Sequence, residues 1–106
     1  MASQSISVNV EQDRATIRLS GEHEAYTADK LAKSLSGLIT EGVPVTVDLS
    51  ETEFIDSTVV GVLLAGQRRA TDAGLDFLLL MGPHTGWPVH RMLEVTGLLA
   101  SFRVAE

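Results

Sequence analysis

The run Asp56-Ser57-Thr58 places three oxygen-bearing side chains between two apolar stretches, "VPVTVDLS" and "VVGVLLA". Such residues can do two kinds of chemistry. An Asp or Ser just before an apolar helix can accept hydrogen bonds from the free N–H groups of the first turn, which stabilises the helix by about 1 kcal/mol. A serine hydroxyl can also carry a phosphate, which adds about −1.5 to −2 charges. From these residues alone, both a helix cap and a modification site stay open.

Apolar residues cover a wide arc of the helix that would follow this run. At about 100° per residue, Val62 and Leu64 lie about 160° apart on the helical wheel, with three further apolar residues between them. Either the first two turns are wedged between a sheet and another helix, or one flank with Val60 and Leu64 stays exposed and binds a partner. In the second case Ser57 stands at the rim of an apolar interface.

A phosphate on Ser57 would have two opposite effects. The N–H groups and dipole at a helix N-terminus stabilise negative charge, so the fold should tolerate the modification. The same charge beside Asp56, on a chain of net charge −6, must be desolvated or repelled when an apolar partner docks. We therefore expect the phosphate to remove binding without unfolding the domain.

A second polar cluster, Glu22-His23-Glu24, stands in "GEHEAYT". Successive residues of an extended segment point to opposite sides, so this spacing does not predict a metal site and favours a polar loop at a strand end. A catalytic interpretation would have to recruit Asp48 or Asp56 as partner carboxylates. The chain contains no Gly-x-Ser-x-Gly elbow and no Gly-x-x-x-x-Gly-Lys loop, which argues against a serine hydrolase and a nucleotide-binding enzyme.

The loop "GPHTGWP" holds the only tryptophan, Trp87. We expect Trp87 to pack at the start of the third helix, although a partly exposed tryptophan beside loops is also typical of interfaces. His84 and His90, in and next to the loop, are expected at the surface.

Composition limits the class of protein. A chain of 106 residues, 44% hydrophobic and 21% charged, is long enough for one folded domain, which we expect to span residues 1–106. The net charge of −6 argues against direct nucleic-acid binding and against an anionic membrane surface. Cysteine is absent, which excludes disulfides and thiolate metal sites. Without a signal-peptide pattern or an apolar run long enough to insert into a membrane, we expect a cytoplasmic protein.

Hydrophobic periodicity predicts the elements. Alternating apolar residues on both sides of the polar "EQDR" turn indicate an antiparallel hairpin over residues 6–19. Steps of three and four residues from Ala28 to Ile39 indicate an amphipathic helix ending near Gly42. "VTVDL" at 45–49 is typical of a strand covered on both faces.

The second half of the chain repeats the alternation of helix and strand. A helix is predicted from about Ser57 to Ala73, stopping at Gly74, followed by a buried strand at 75–81. A third helix carries Val89, Met92, Leu93 and Val95 and is closed by Gly97, and 101–105 can supply a last edge strand. The predicted order is therefore β-β-α-β-α-β-α-β, an α/β domain with parallel pairing and right-handed crossovers in a mixed sheet.

The segment "VTVDLSETEFIDSTVVGVLLAGQRRATDAGLDFLLL" resembles the signature of STAS domains, the bacterial anti-sigma factor antagonists: a buried strand, an Asp-Ser pair, an apolar helix, a glycine and another strand. "LSGEHEAYTADKL" is similar to the strand end and first-helix entry of that family, and "PVHRMLEVTGLLASFRV" to its last helix and closing strand. The resemblance covers nearly the whole chain.

The resemblance implies a mixed sheet with helices packed mainly on one side, and a binding protein that is not an enzyme. An anti-sigma factor with serine kinase activity would phosphorylate Ser57 and inactivate the protein, and a phosphatase would restore it. The unphosphorylated form would bind the anti-sigma factor and free the sigma factor. The kinase holds the ATP, so no cofactor or metal is expected here. The implied partner-binding residues are Glu24, Asp56, Ser57, Thr58, Val60, Gly61 and Leu64, with Asp56 orienting the helix start or the serine hydroxyl.

Two positions depart from the family pattern. Glu24 stands where the family commonly has an aspartate, and Val59 stands where it has a glycine two residues after the motif serine. A β-branched side chain at Val59 is expected to narrow the approach to Ser57. These departures keep open a STAS subunit that binds without being phosphorylated, in a signalling assembly or beside a lipid or anion transporter. An enzyme that uses the two polar clusters is a third alternative, which rests only on their proximity in loops.

Overall fold

The computed structural model describes residues 5–23, 25–95 and 103–105, and these form five strands and three helices in the predicted order. The elements are β1 (Ser5–Glu11), β2 (Arg14–His23), α1 (Ala25–Thr40), β3 (Val45–Ile55), α2 (Ser57–Asp72), β4 (Phe77–Leu80), α3 (Trp87–Val95) and β5 (Arg103–Ala105).

One mixed sheet has the strand order β1-β2-β3-β4-β5. β1 and β2 are antiparallel, while β2, β3, β4 and β5 pair in parallel. Each helical crossover moves one strand further in the same direction, and right-handed crossovers of that kind place all helices on one face of the sheet. This arrangement confirms the predicted single α/β domain with helices mainly on one side.

The turn of the first hairpin and the end of α2 have backbone geometries that fit the predicted turn and the predicted helix stop. Gln12 and Asp13 both have positive φ, 48° and 68°, as a tight two-residue hairpin turn requires. After α2, the Leu75 N–H bonds the Ala70 carbonyl at 2.8 Å and the Gly74 N–H bonds the Thr71 carbonyl at 3.0 Å. With Gly74 at φ 72°, this is a Schellman motif, which ends the helix where the glycine was expected to end it.

β3 is longer than the predicted strand at 45–49, which is a correction to the sequence analysis. It continues to Ile55 because its second half pairs with the end of β2, where Glu22 faces Phe54 and His23 faces Ile55. The hydroxyl of Thr52 lies inside this half and donates to the Leu19 carbonyl at 2.7 Å. β4 is shorter than the predicted strand at 75–81, since Leu75 is used in the helix end.

The core lies between the sheet and the helices. α1 buries the face predicted for it, with Ala28, Leu31, Leu35 and Ile39 all at most 6% exposed. α1 packs directly on α2, because a Cβ atom added to Gly66 would lie 3.0 Å from the Leu35 Cδ1 atom.

α3 buries fewer of its apolar residues than the sequence suggested. Val89 and Leu93 are fully buried, but Val95 is 66% exposed. The predicted closure at Gly97 lies outside the described residues. Of the last predicted strand, 101–102 also lie outside them, and 103–105 form β5.

Candidate functional site

The junction between β3 and α2 positions Asp56 and Ser57 at the carboxyl end of the parallel strands. The Asp56 N–H donates to the His23 carbonyl at 3.2 Å, so the hydrogen-bonding pattern between β2 and β3 continues to the last residue before the helix. Asp56 itself is extended, with φ −99° and ψ 178°. The chain then turns directly into α2, and the end of β2 fixes the position of the helix start.

Asp56 caps α2. Its Oδ1 atom accepts a hydrogen bond from the Val59 N–H at 3.0 Å, and its carbonyl accepts the first intrahelical bond, from the Val60 N–H at 3.1 Å. The cap that the sequence predicted for Asp or Ser is therefore on Asp56. Ser57 is the first helical residue and not the N-cap.

Ser57 and Thr58 are exposed, whereas Val59 is fully buried. Two residues correspond to about 200° around a helix axis, so the Val59 side chain points into the core on the side away from Ser57. The expectation that Val59 narrows the approach to Ser57 is wrong for this reason. Ser57 itself is exposed to solvent.

Val60 is not part of an exposed flank. It is 6% exposed and belongs to the core cluster with Val59 and Leu63. Leu64, one turn further, is half-buried against this core. Of the two arrangements that the sequence left open, the structure therefore shows the one in which the first two turns of α2 are packed into the core, and an exposed flank at Val60 is not found.

The predicted partner-binding residues thus differ in their exposure to solvent. Ser57, Thr58 and Gly61 share the exposed start of α2, and half-buried Asp56 precedes them. Glu24 lies outside the described residues. Their role in binding stays a prediction.

His23 was expected in a polar loop, but it is the last residue of β2 and only 1% exposed. Its Nε2 atom lies 2.8 Å from the Ser20 carbonyl oxygen and its Nδ1 atom lies 3.1 Å from the Thr27 hydroxyl. A carbonyl can only accept, so Nε2 donates, and in the neutral ring Nδ1 accepts from Thr27. Glu22, one residue earlier, is exposed, as the alternation of a strand predicts. His23 therefore connects the end of β2 to the first turn of α1.

The structure does not bring Asp48 into this site. Its carboxylate is bound in the middle of β3, with Oδ2 3.1 Å from Arg18 Nη2 and Oδ1 accepting from the Ser50 N–H at 2.9 Å. Eight residues of strand place it roughly 26 Å from Asp56. Burial raises the pKa of Asp48, but the hydrogen bonds from Ser50 and Arg18 and the Arg18 charge together outweigh it and hold that pKa below its ordinary value.

The described residues contain no cluster of three His, Cys, Asp or Glu side chains that could bind a metal ion. The predicted polar clusters therefore do not combine into one catalytic centre in the part of the chain that the structure describes: the Asp48 carboxylate is paired with Arg18, and both ring nitrogens of His23 are engaged.

The loop before α3 is held tightly to β3. The Thr85 hydroxyl donates to the Leu49 carbonyl and accepts from the Gly82 N–H, both at 2.9 Å, and the Gly86 N–H donates to the Thr52 carbonyl at 2.7 Å. Trp87 is the first residue of α3 and is 72% exposed, so the expectation that it packs at the helix start is wrong.

Both histidines of this region were expected at the surface. His84 is exposed, which confirms the prediction, and His90 is half-buried.

Three comparisons with known proteins agree with this architecture. The family described as "Mlab, STAS domain" matches residues 6–101. The anti-sigma-B factor antagonist of Listeria monocytogenes is 32% identical over 97 residues, which cover 88% of this chain and 82% of the relative. This chain belongs to the STAS domain family.

Solved structures share the fold. An anti-sigma factor antagonist from Mycobacterium paratuberculosis superposes with a TM-score of 0.80 and 25% identity, over 97% of this chain and 86% of the other. The Bacillus cell fate determinant SpoIIAA in its phosphorylated form superposes with a TM-score of 0.75 and 21% identity, over 96% of this chain and 92% of the other. Within the described residues, no helix has the length and apolar character needed to cross a membrane.

Proposed function

We propose that this protein is an anti-sigma factor antagonist whose binding is switched off by phosphorylation of Ser57. The observation that carries the proposal is the exposed Ser57 at the first position of α2, beside a cap that Asp56 supplies. A relative with 32% identity over most of its length is an anti-sigma-B factor antagonist. A protein with the same fold, SpoIIAA, has been solved in a phosphorylated form.

The geometry of α2 favours a phosphate that leaves the fold intact. The capping bond to the Val59 N–H comes from Asp56, so modification of the Ser57 hydroxyl does not remove it. The positive end of a helix dipole stabilises an anion in the first turn. The core residues Val59 and Val60 point inward and are not displaced.

The same geometry makes the phosphate effective against a partner. The docking surface that we propose is the exposed start of α2, with Ser57, Thr58 and Gly61 at its centre and Leu64 at its edge. A Cβ atom added to Gly61 would meet no atom within 4 Å, so the helix backbone there is open to close approach. A phosphate next to Asp56 would place two anionic groups at this surface, which a partner would have to desolvate.

The partner in this proposal is an anti-sigma factor with serine kinase activity, which binds the ATP itself, and a phosphatase restores the free hydroxyl. The role of this chain is binding, without catalysis or a cofactor of its own. Asp56 adds negative charge beside the docking surface, and we propose that Asp56 and Glu24 orient the partner. Because the partners regulate transcription, the proposal places the protein in the cytoplasm.

Phosphate transfer tests this proposal directly. The protein is incubated with the anti-sigma kinase of its own organism and ATP, and the modified residue is located by peptide mapping. We expect phosphate on Ser57 in the wild type and in Thr58→Ala, and none in Ser57→Ala. Phosphate on Thr58, or no transfer to a folded wild-type chain, would overturn the proposal.

A second candidate is a STAS subunit that binds its partner constitutively inside a larger assembly or beside a lipid or anion transporter. The match to the family described as "Mlab, STAS domain" over residues 6–101 supports this second candidate. In this case a negative charge at Ser57 leaves partner binding unchanged.

A further inference from the structure

A groove of about 290 Å³ runs between α1 and α2. Its lining is mainly apolar or small, and it consists of Ala32, Leu35, Ser36, Ile39, Thr58, Gly61, Val62, Ala65, Gly66 and Arg69. Along α2 the groove extends from Thr58 to Arg69, a distance of about 16 Å at 1.5 Å per residue. The volume is close to the lower limit of small-molecule sites, about 300 Å³. The groove can therefore hold a slender apolar chain.

Arg69 carries an uncompensated charge at one end of this groove. Its Nη1 atom donates to the Ser36 hydroxyl at 2.8 Å and its Nη2 atom donates to the Thr40 hydroxyl at 3.3 Å. Both partners are neutral, and the ion pairs found among residues 5–23, 25–95 and 103–105 do not include Arg69. Two hydroxyl groups of α1 thus hold the guanidinium in place without neutralising it.

The surroundings of the Arg69 guanidinium favour an anionic ligand at this end of the groove. The chain has a net charge of −6, so anions are repelled by the molecule as a whole and attracted only where a local positive charge is exposed. A guanidinium forms strong, directional hydrogen bonds with a carboxylate. An apolar groove with one oriented cation at its end is complementary to a molecule that joins an apolar chain to a carboxylate.

We propose that the groove between α1 and α2 binds a small carboxylate amphiphile of the fatty acid class. The alkyl chain lies against Leu35, Ile39 and Val62, and the carboxylate pairs with Arg69. The site is separate from Ser57 and does not depend on the phosphorylation switch. Its far end is lined by Thr58 and Gly61, which also belong to the proposed docking surface, so a bound chain would overlap that surface at the start of α2.

The probe is decanoate, used below its micelle concentration and titrated into the isotopically labelled full chain while amide chemical shifts are recorded. We expect saturable shifts at Thr58, Gly61 and Ala65 that fit one site. Arg69→Gln keeps a donor for the α1 hydroxyls but removes the charge, and should weaken binding at least about tenfold. Ala65→Leu fills the groove and should abolish the shifts.

Three controls make the test specific. Arg68→Gln removes a neighbouring exposed charge outside the groove and should leave decanoate affinity unchanged. Decan-1-ol has a similar chain without the carboxylate and should bind at least about tenfold more weakly. Thermal melting of each variant confirms that the fold is kept.

Other outcomes would overturn the proposal. These are the absence of saturable shifts in the wild type, equal affinity of decanoate for the wild type and Arg69→Gln, or equal affinity for decanoate and decan-1-ol. None of them bears on phosphate transfer to Ser57, so the two proposals fail independently.

Discussion

The Asp56 Oδ1 atom accepts a hydrogen bond from the Val59 N–H at 3.0 Å. This bond caps the first turn of α2. Ser57 and Thr58 lie between these two residues and face solvent. The structural work of the Asp-Ser pair is therefore done by Asp56, which leaves the Ser57 hydroxyl free for chemistry. The cap is on Asp56 and the proposed modification site is the next residue, so the two alternatives that the sequence left open do not exclude each other.

Removal of the capping carboxylate should destabilise the protein. We expect Asp56→Ala to lower the free energy of unfolding by about 1 kcal/mol, because the Val59 N–H loses its partner. Asp56→Asn keeps an oxygen acceptor and should lose much less. Urea unfolding followed by circular dichroism measures both. Equal loss in the two variants would show that charge, and not capping, is what Asp56 contributes.

Ser57→Ala should change the unfolding free energy by less than about 0.5 kcal/mol, as is usual for an exposed position. The same urea experiment checks this value. A loss as large as that of Asp56→Ala would mean that the serine hydroxyl takes part in the cap after all.

The pair of Asp48 and Arg18 predicts a dependence of stability on pH. The pKa of Asp48 is lower in the folded chain than the ordinary value of an aspartate, so the folded state favours the ionised form. The stability that this gives is present above the unfolded pKa and is lost as the pH falls through the folded one. Urea midpoints measured from pH 7 down to the acid limit of folding should fall less steeply for Asp48→Asn than for the wild type.

The control for this series is Glu51→Gln, on the same strand but exposed. It should follow the wild-type pH profile. If Asp48→Asn and the wild type fall in parallel, the Asp48 carboxylate is not stabilised by its partners in the folded protein.

Gly86, in the loop before α3, is crowded by neighbouring backbone, whereas Gly37 in α1 has open space around it. Alanine substitutions at these two positions should therefore change stability in opposite directions. A Cβ atom on Gly86 would overlap the Glu53 carbonyl oxygen, so Gly86→Ala must displace backbone and should cost about 2 kcal/mol or more. Gly37 lies inside α1 with nothing within 4 Å of its added Cβ, so Gly37→Ala should stabilise by about 0.5 to 1 kcal/mol. Melting temperatures that move in the same direction would contradict this contact.

Periodicity predicted the element order because the core faces are regular. The steps from Ala28 to Ile39 and the alternation of β2 follow directly from one buried face each, and Gly74 ends α2 through its positive φ. The extension of β3 to Ile55 was not predictable in the same way. Its second half is polar at Ser50, Glu51 and Glu53, and it is held by pairing with distant residues of β2 that a local pattern does not contain.

The sequence predicted where α2 begins, but not which of its first residues face the core. The Asp-Ser pair identified the helix start, and the buried side of Val59 and Val60 depended on how α2 sits on the sheet. His23 could have been recognised as buried, since the alternation of Ile17, Leu19 and Gly21 continues to it. The exposure of Trp87 follows from the contacts of Thr85 and Gly86 with β3, which sequence spacing does not show.

The most direct test of the switch is the affinity of the purified protein for its anti-sigma kinase, measured by calorimetry with wild type, Ser57→Ala and Ser57→Asp. A control variant, Ser7→Asp, adds the same charge on β1, away from α2. We predict that Ser57→Asp binds at least about tenfold more weakly, a difference of about 1.4 kcal/mol, while the other two variants bind like the wild type and all melt normally. Equal affinity of Ser57→Asp and the wild type would contradict the account.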